Sequence, residues 1–165
     1  MAVTAFVPLG GTDPAFAARD WGGTTWKVDG KRVYTGESYG GWKNGIRARA
    51  DGSPGDSISM SSGKSVSNSL SGNVGISKSK LNAAFHFNVS RQWSSTASKS
   101  YGLTKKKKGT WWKIQYKRVY RNYKIKARMY SFYDGTWHKT RKTKWIKAKK
   151  FDHFAYRLVK AKAVK

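Results

Sequence analysis

Residues 112–133 read WKIQYKRVYRNYKIKARMYSFY. Aromatic and aliphatic side chains hold most even positions from Trp112 to Tyr120 and most odd positions from Tyr123 to Met129, with cations between them. A period of two is typical of strands with one buried face. The segment therefore predicts sheet strands that are aromatic on one side and basic on the other.

The flanking residues extend this prediction. Asp134-Gly135 is a two-residue hairpin signal, because both positions of such a turn favour a positive φ. With Trp137–Ile146 after it, the stretch 110–146 predicts at least three strands, and Phe151–Val159 predicts a final strand or short helix. Of the four tryptophans Trp111, Trp112, Trp137 and Trp145, we expect most to lie in the core.

Residues 57–101 are rich in serine but keep the same period. Apolar residues fall on even positions from Ile58 to Ile76 and on odd positions from Leu81 to Trp93. This predicts two long strands joined by a turn or bulge near 77–80, with His86 on the polar face of the second. Further upstream, Asp29-Gly30 and Asn44-Gly45 predict two more hairpin turns.

Together these signals predict an all-β fold, either an antiparallel β-sandwich or an elongated twisted sheet, with an irregular N-terminal arm. The predicted organisation is an arm at 1–22, a small β-hairpin module at 23–56, a main β domain at 57–160 and a basic tail at 161–165.

Charge is distributed unevenly along the chain. The net charge is +26 over 165 residues, and residues 104–165 hold 22 Lys and Arg against 2 Asp. Such an excess repels itself, so an anionic partner would stabilise the fold. The predicted polyanion-binding residues are Lys105, Lys106, Lys107, Lys108, Lys113, Lys117, Arg121, Lys124, Lys126, Arg128, Lys139, Arg141, Lys142 and Lys144. The run 105–108 is expected to be a mobile, solvated loop.

The sequence gives little support for a catalytic site or a metal site. The chain has no Cys, one glutamate and three histidines, and no His pair has the spacing of a metal site. Asp152-His153 has no marked nucleophile nearby, and there is no phosphate-binding or dinucleotide-binding motif. We therefore expect no enzyme activity, no cofactor and no small-molecule substrate.

The stretch from Ser57 to Tyr133 resembles the Ser/Thr-rich, long-stranded region of aerolysin- and epsilon-toxin-type β-pore-forming proteins. The likeness is carried by the runs SVSNSLSGNVGI at 65–76 and FHFNVS at 85–90, and by the Lys- and Tyr-rich segment after them. The resemblance implies a membrane-inserting hairpin at residues 66–93. Its lipid-facing residues would be Val66, Leu70, Val74, Ile76, Leu81, Phe85, Phe87 and Val89.

The main hypothesis is a non-enzymatic cationic β-protein that docks on a polyanionic surface as part of a larger assembly, such as a phage virion. Its partners would be copies of itself or other subunits, and an anionic polymer: nucleic acid, cell-wall polymer or anionic lipid. The alternatives are a pore-forming protein and a sequence-independent nucleic-acid binder. The first ten residues lack the basic start of a signal peptide, so we expect synthesis in the cytoplasm and a final site in a virion or outside the cell.

Overall fold

A computed structural model describes residues 22–163. Strand makes up 65% of the structure and helix 6%, and the strands pair antiparallel, which confirms the all-β prediction. The predicted arm lies outside the described residues except for Gly22, and so do the last two residues of the tail. No helix among the described residues is long and apolar enough to cross a membrane.

The fold is built on one very long hairpin. Strand β7 (Trp111–Tyr133) pairs with β8 (Thr136–Lys160) through the turn at Asp134-Gly135. Both turn residues have positive φ, 49° and 72°, as the sequence predicted. The strands predicted separately within 110–146 and at 151–159 are therefore two continuous strands.

Three shorter strands lie end to end along the free edge of β7. They are β1 (Thr24–Val28), β2 (Val33–Tyr39) and β3 (Lys43–Arg49), and each pairs with β7. None of them pairs with another, so the predicted hairpins at Asp29-Gly30 and Asn44-Gly45 are wrong. A strand as long as β7 offers each of them a better partner than its neighbour in sequence. Residues 23–56 thus share their sheet with the main domain.

Gly45 has a packing role in place of the predicted turn. It lies in β3 at an irregularity of pairing between Asn44 and Arg47. A Cβ at this position would overlap the sulfur of Met60 and stand 3.0 Å from the Ile114 carbonyl oxygen. Glycine therefore lets the strand that carries Met60 approach the main sheet closely.

The serine-rich region contributes a second sheet and the only helix among the described residues. Strand β4 (Ser57–Ser67) pairs with β6 (Gln92–Gly102), and between them lie the short strand β5 (Ser69–Ser71) and helix α1 (Lys78–Phe85). Strand β5 joins the edge of β8. The predicted second strand over 81–93 is thus wrong for its first part, and His86, predicted on a strand, ends the helix with a φ of 58°.

The error has a simple physical cause. Leu81 and Phe85 are both fully buried and are four residues apart. A spacing of four fits one face of a helix as well as one face of a strand. The predicted membrane hairpin at 66–93 is therefore not a β-hairpin in this fold, because its apolar residues are spread over β4, β5, α1 and two loops.

Two hydrophobic clusters cover opposite sides of the β7–β8 sheet. We call the side with the even-numbered residues of β7 the front face and the other the back face. The half of the hairpin far from the turn, which extends up to Arg121 in β7, is the proximal half. The half nearest the turn is the distal half. The β4–β6 sheet packs on the proximal front face over Ile114 and Tyr116, whereas α1 packs on the distal back face over Ile125 and Ala127.

Candidate polyanion-binding faces

This arrangement leaves one side of each half of the hairpin uncovered by the described residues. In the distal half the open side is the front, and in the proximal half it is the back. Because paired residues of antiparallel strands share a face, the register assigns every side chain to one of them. The apolar face predicted from the alternation is the covered one in both halves, and the basic face is the open one.

The distal front face is strongly cationic. Its cations are Lys27, Lys124, Lys126, Arg128, Lys139, Lys147 and Lys149. Asp29 bonds to Arg128 and is the one carboxylate we find at this face in the described chain. Lys124 and Lys147 stand directly opposite each other on β7 and β8. Like charges in that position destabilise a sheet unless an anion comes between them.

Aromatic rings lie among these cations. Trp145 is 42% exposed, with the Lys124 and Lys126 ammonium groups 4.5 and 5.7 Å from its ring centre. Nearer the turn, Lys27 stands 4.8 Å from the Tyr130 ring centre and 5.7 Å from that of Trp137. Trp137 is also 42% exposed. The expectation that most of the four tryptophans lie in the core therefore fails for Trp137 and Trp145.

A concavity of about 670 Å³ opens beside Trp145 on the same face. Three strands and the bulge in β2 contribute polar and cationic groups to its lining: Thr35, Ser69, Ser71, Asn122, Lys124, Lys147 and Lys149. Hydroxyl, amide and ammonium groups all donate hydrogen bonds to anions. Within the described part of the chain, no carboxylate lines the concavity.

The proximal back face is cationic as well. Its strand cations are Arg47, Arg49, Lys113, Lys117, Arg121, Lys150 and Arg157, and its acids are Glu37 and Asp152. Asp152 lies 3.1 Å from the Arg121 Nε and 2.9 Å from the His153 Nδ1. Lys117 stands 3.9 Å from the Tyr39 ring centre, and Arg157 stands 4.2 Å from that of Trp42. The Tyr39 hydroxyl donates a hydrogen bond to Glu37, and the carboxylate raises the pKa of that phenol.

The structure divides the predicted binding residues into separate groups. Lys113, Lys117 and Arg121 lie on the proximal back face, whereas Lys124, Lys126, Arg128 and Lys139 lie on the distal front face. Lys144 pairs with Ala127 and so points to the back, and Arg141 and Lys142 lie in an irregular stretch of β8.

The basic run at 105–108 forms a hydrogen-bonded turn. The Lys106 amide donates to the Leu103 carbonyl, and the Lys106 ammonium lies 4.4 Å from the Trp112 ring centre. This run lies at the proximal end, away from the concavity in the distal half. Sequence reasoning missed Lys27, Lys147 and Lys149, although the last two continue the Lys-rich pattern of 139–150.

Asp29 limits the positive charge of the distal front face. Its Oδ2 accepts a hydrogen bond of 2.6 Å from the Arg128 Nε, and this bond holds the pKa of the carboxyl below its usual value. A lowered pKa means that the pair contributes stability above the ordinary carboxyl pKa and loses it as the pH falls through the folded-state value.

The variant Asp29→Asn should bind polyanions more tightly. It frees Arg128 for an anionic ligand, and we expect affinity at low salt to rise about two- to fivefold, the range of a surface ion pair. Anisotropy titration of a labelled DNA duplex measures the change. Asp56→Asn is the control, since its amide oxygen can still accept the Asp51 N–H. An equal gain in the control would assign the effect to net charge alone.

The described residues offer few side-chain groups for metal binding or catalysis. Within residues 22–163, no three or more His, Cys, Asp or Glu side chains form a group that could hold a metal ion. His138 stacks on Tyr133 at 3.7 Å between ring centres.

Comparison of the sequence with models of known protein families and with curated proteins gave no match.

Proposed function

We propose that this protein is a non-enzymatic docking protein that binds a polyanion through its distal front face as part of a larger assembly. The observation that carries the proposal is the opposition of Lys124 and Lys147 on an uncovered sheet face, where Asp29, the one carboxylate at this face among residues 22–163, is already paired. A fold that keeps such a face loses stability when alone and regains it when an anion binds.

The assembly part of the proposal rests on the second open face. The proximal back face combines exposed Tyr39 with Trp42 and Arg157, and Asp152 pairs with Arg121 on the same face. Tyr, Trp and Arg are enriched at protein interfaces. The two faces point to opposite sides of the sheet, so one molecule can hold a polyanion on one side and a protein neighbour on the other. A virion component facing packaged nucleic acid or a bacterial envelope is one setting of this kind.

The test compares two triple variants that remove the same charge. One replaces Lys124, Lys147 and Lys149 with Gln, and the control does the same to the exposed Lys78, Lys80 and Lys162. We expect only the first to weaken binding to a labelled duplex strongly and to reduce the slope of log affinity against log salt by about 1 per lysine. Equal losses in both would mean that net charge, rather than this face, binds the polyanion.

A membrane-active protein is the second candidate, and the tip of the long hairpin favours it. Tyr133 is 53% exposed and Trp137 42% exposed, and aromatic residues of this kind settle at lipid–water interfaces. Dye-loaded anionic vesicles separate the candidates. A docking protein should bind them without leakage, whereas leakage that is lost in the double variant Tyr133→Ser/Trp137→Ser would favour the second candidate.

A further inference from the structure

We infer that the polyanion held by the distal front face is single-stranded nucleic acid, with its phosphates in the concavity beside β5 and a base stacked on Trp145. This inference rests on the proposed function and specifies its ligand. It follows from the order in which the sheet presents hydroxyls, cations and an aromatic ring.

The concavity consists of two adjacent rows across the strands. One row is Ser69, Lys149 and Asn122, and the next is Ser71, Lys147 and Lys124. Residues two apart on a strand stand about 6.6–6.8 Å apart. Each row thus offers one or two ammonium groups and a hydroxyl, which together can neutralise and hydrogen-bond a phosphodiester. The volume of about 670 Å³ is sufficient for a phosphate and part of its sugar.

Trp145 occupies the next row along the same strand. It pairs with Lys126 and lies two residues before Lys147, so its indole adjoins the concavity on the same face. Lys124 now stands over the ring and also lines the concavity. When a phosphate binds, Lys124 can turn to it and leave the indole to a base. A cation–π contact at an exposed site is weaker than a base stack, so this exchange is favourable.

These features favour a single strand over a duplex or a lipid surface. Single strands expose the faces of their bases, and sheet aromatics stack on them, whereas a duplex keeps its bases stacked on each other. Trp145 lies in the middle of a long strand, not on a projecting loop, which suits stacking better than insertion between lipids. Trp137 offers a second exposed ring nearer the turn on the same face.

The experiment separates base recognition from backbone binding. The full chain and its Trp145→Ala variant are titrated with labelled oligothymidylate and with an abasic oligonucleotide of the same length, whose phosphates are identical but whose bases are absent. We expect the variant to lose about 5- to 150-fold in affinity for oligothymidylate, the range for one stacked base. Its affinity for the abasic strand should stay unchanged.

Two further variants guard against indirect effects. Trp145→Phe keeps a ring and should restore most of the affinity, and Trp42→Ala removes a cation-bound indole from the opposite face and should have no effect. A thermal melt checks that each variant is folded. The base-stacking inference is overturned if Trp145→Ala weakens both strands equally or neither.

The same titrations distinguish the inference from the function on which it rests. Inorganic polyphosphate that binds as tightly as oligothymidylate, in the absence of any Trp145 effect, would overturn the nucleic-acid inference and leave polyanion docking intact. No binding to oligothymidylate, abasic strand or polyphosphate would overturn both. Tighter binding to phosphatidylglycerol vesicles than to oligothymidylate, lost in Trp145→Ala, would replace nucleic acid with a membrane as the ligand.

Discussion

The affinity of this protein for duplex DNA should fall by about 10³ between 50 and 200 mM salt. The distal front face has six cations besides the paired Arg128: Lys27, Lys124, Lys126, Lys139, Lys147 and Lys149. If each neutralises one phosphate and releases its counterions, the slope of log affinity against log salt is about −0.9 per contact, or about −5 in total. Six contacts stand at the lower end of the 6–10 phosphate contacts for which a fall of about 10³–10⁵ is typical.

The measurement is a series of anisotropy titrations at increasing salt, with the wild-type chain and both triple variants. Removal of Lys124, Lys147 and Lys149 should reduce the slope to about −3. The variant lacking Lys78, Lys80 and Lys162 should keep the wild-type slope, because these residues lie outside the face. An affinity that does not respond to salt would exclude the distal front face as the binding agent.

The strand pattern of the long hairpin was predictable because it is local. The alternation of cations and aromatics in 112–129 is regular, and it correctly separates the covered side from the open side. Its change of phase between Tyr120 and Tyr123 predicts a boundary between two strands. In the structure β7 runs on without interruption, and the core moves from the front face to the back. A break between two strands and a change of the covered face within one strand produce the same change of phase in the sequence.

Which strands pair with each other was not predictable in the same way. The Asp29-Gly30 dipeptide fits a hairpin locally, but β1 and β2 both pair with β7, about a hundred residues away in sequence. Likewise Leu81 and Phe85 fit a strand and a helix equally well. Whether such a segment forms a strand or a helix depends on how it packs against the sheet, and this packing involves segments that are distant in sequence.

The candidate site shows the same limit. The excess of lysine after residue 104 predicts one polyanion-binding surface, whereas the structure divides the predicted residues between two faces. The residue numbers of Arg121 and Lys124 differ by three, and this odd difference places them on opposite faces of one strand. The concavity also needs Ser69 and Ser71, which reach Lys149 and Lys147 only because β5 pairs with β8. Nothing local in the serine-rich segment marks those two residues.

The attachment of β5 depends on one buried amide. Asn68 is 8% exposed and is the one polar side chain that is buried among the described residues. Its Oδ1 accepts a hydrogen bond of 2.9 Å from the Phe151 N–H, and its Nδ2 donates one of 2.7 Å to the Asn88 carbonyl. Asn68 thus connects β4, the loop after α1 and the middle of β8, next to the first residue of β5.

We therefore expect Asn68→Ala to be strongly destabilising. It leaves the buried Phe151 N–H without its partner, at about 1–3 kcal/mol, and removes one hydrogen bond from the part-buried Asn88 carbonyl, at about 0.5–1.5 kcal/mol, so that the free energy of unfolding should fall by about 2–4 kcal/mol. For a domain of this size the melting temperature should fall by about 5–15 °C. Thermal and urea unfolding followed by circular dichroism measure both quantities.

The control and the binding consequence complete the test. Asn44→Ala removes the same group from an exposed position, where Asn44 Oδ1 accepts a hydrogen bond from Gln115, and its effect should stay within about 0.5 kcal/mol. Because Asn68 precedes the strand that supplies Ser69 and Ser71 to the concavity, Asn68→Ala should also weaken polyanion binding at temperatures where the protein remains folded. A variant as stable as Asn44→Ala, with unchanged binding, would mean that β5 holds its place on β8 without the Asn68 amide.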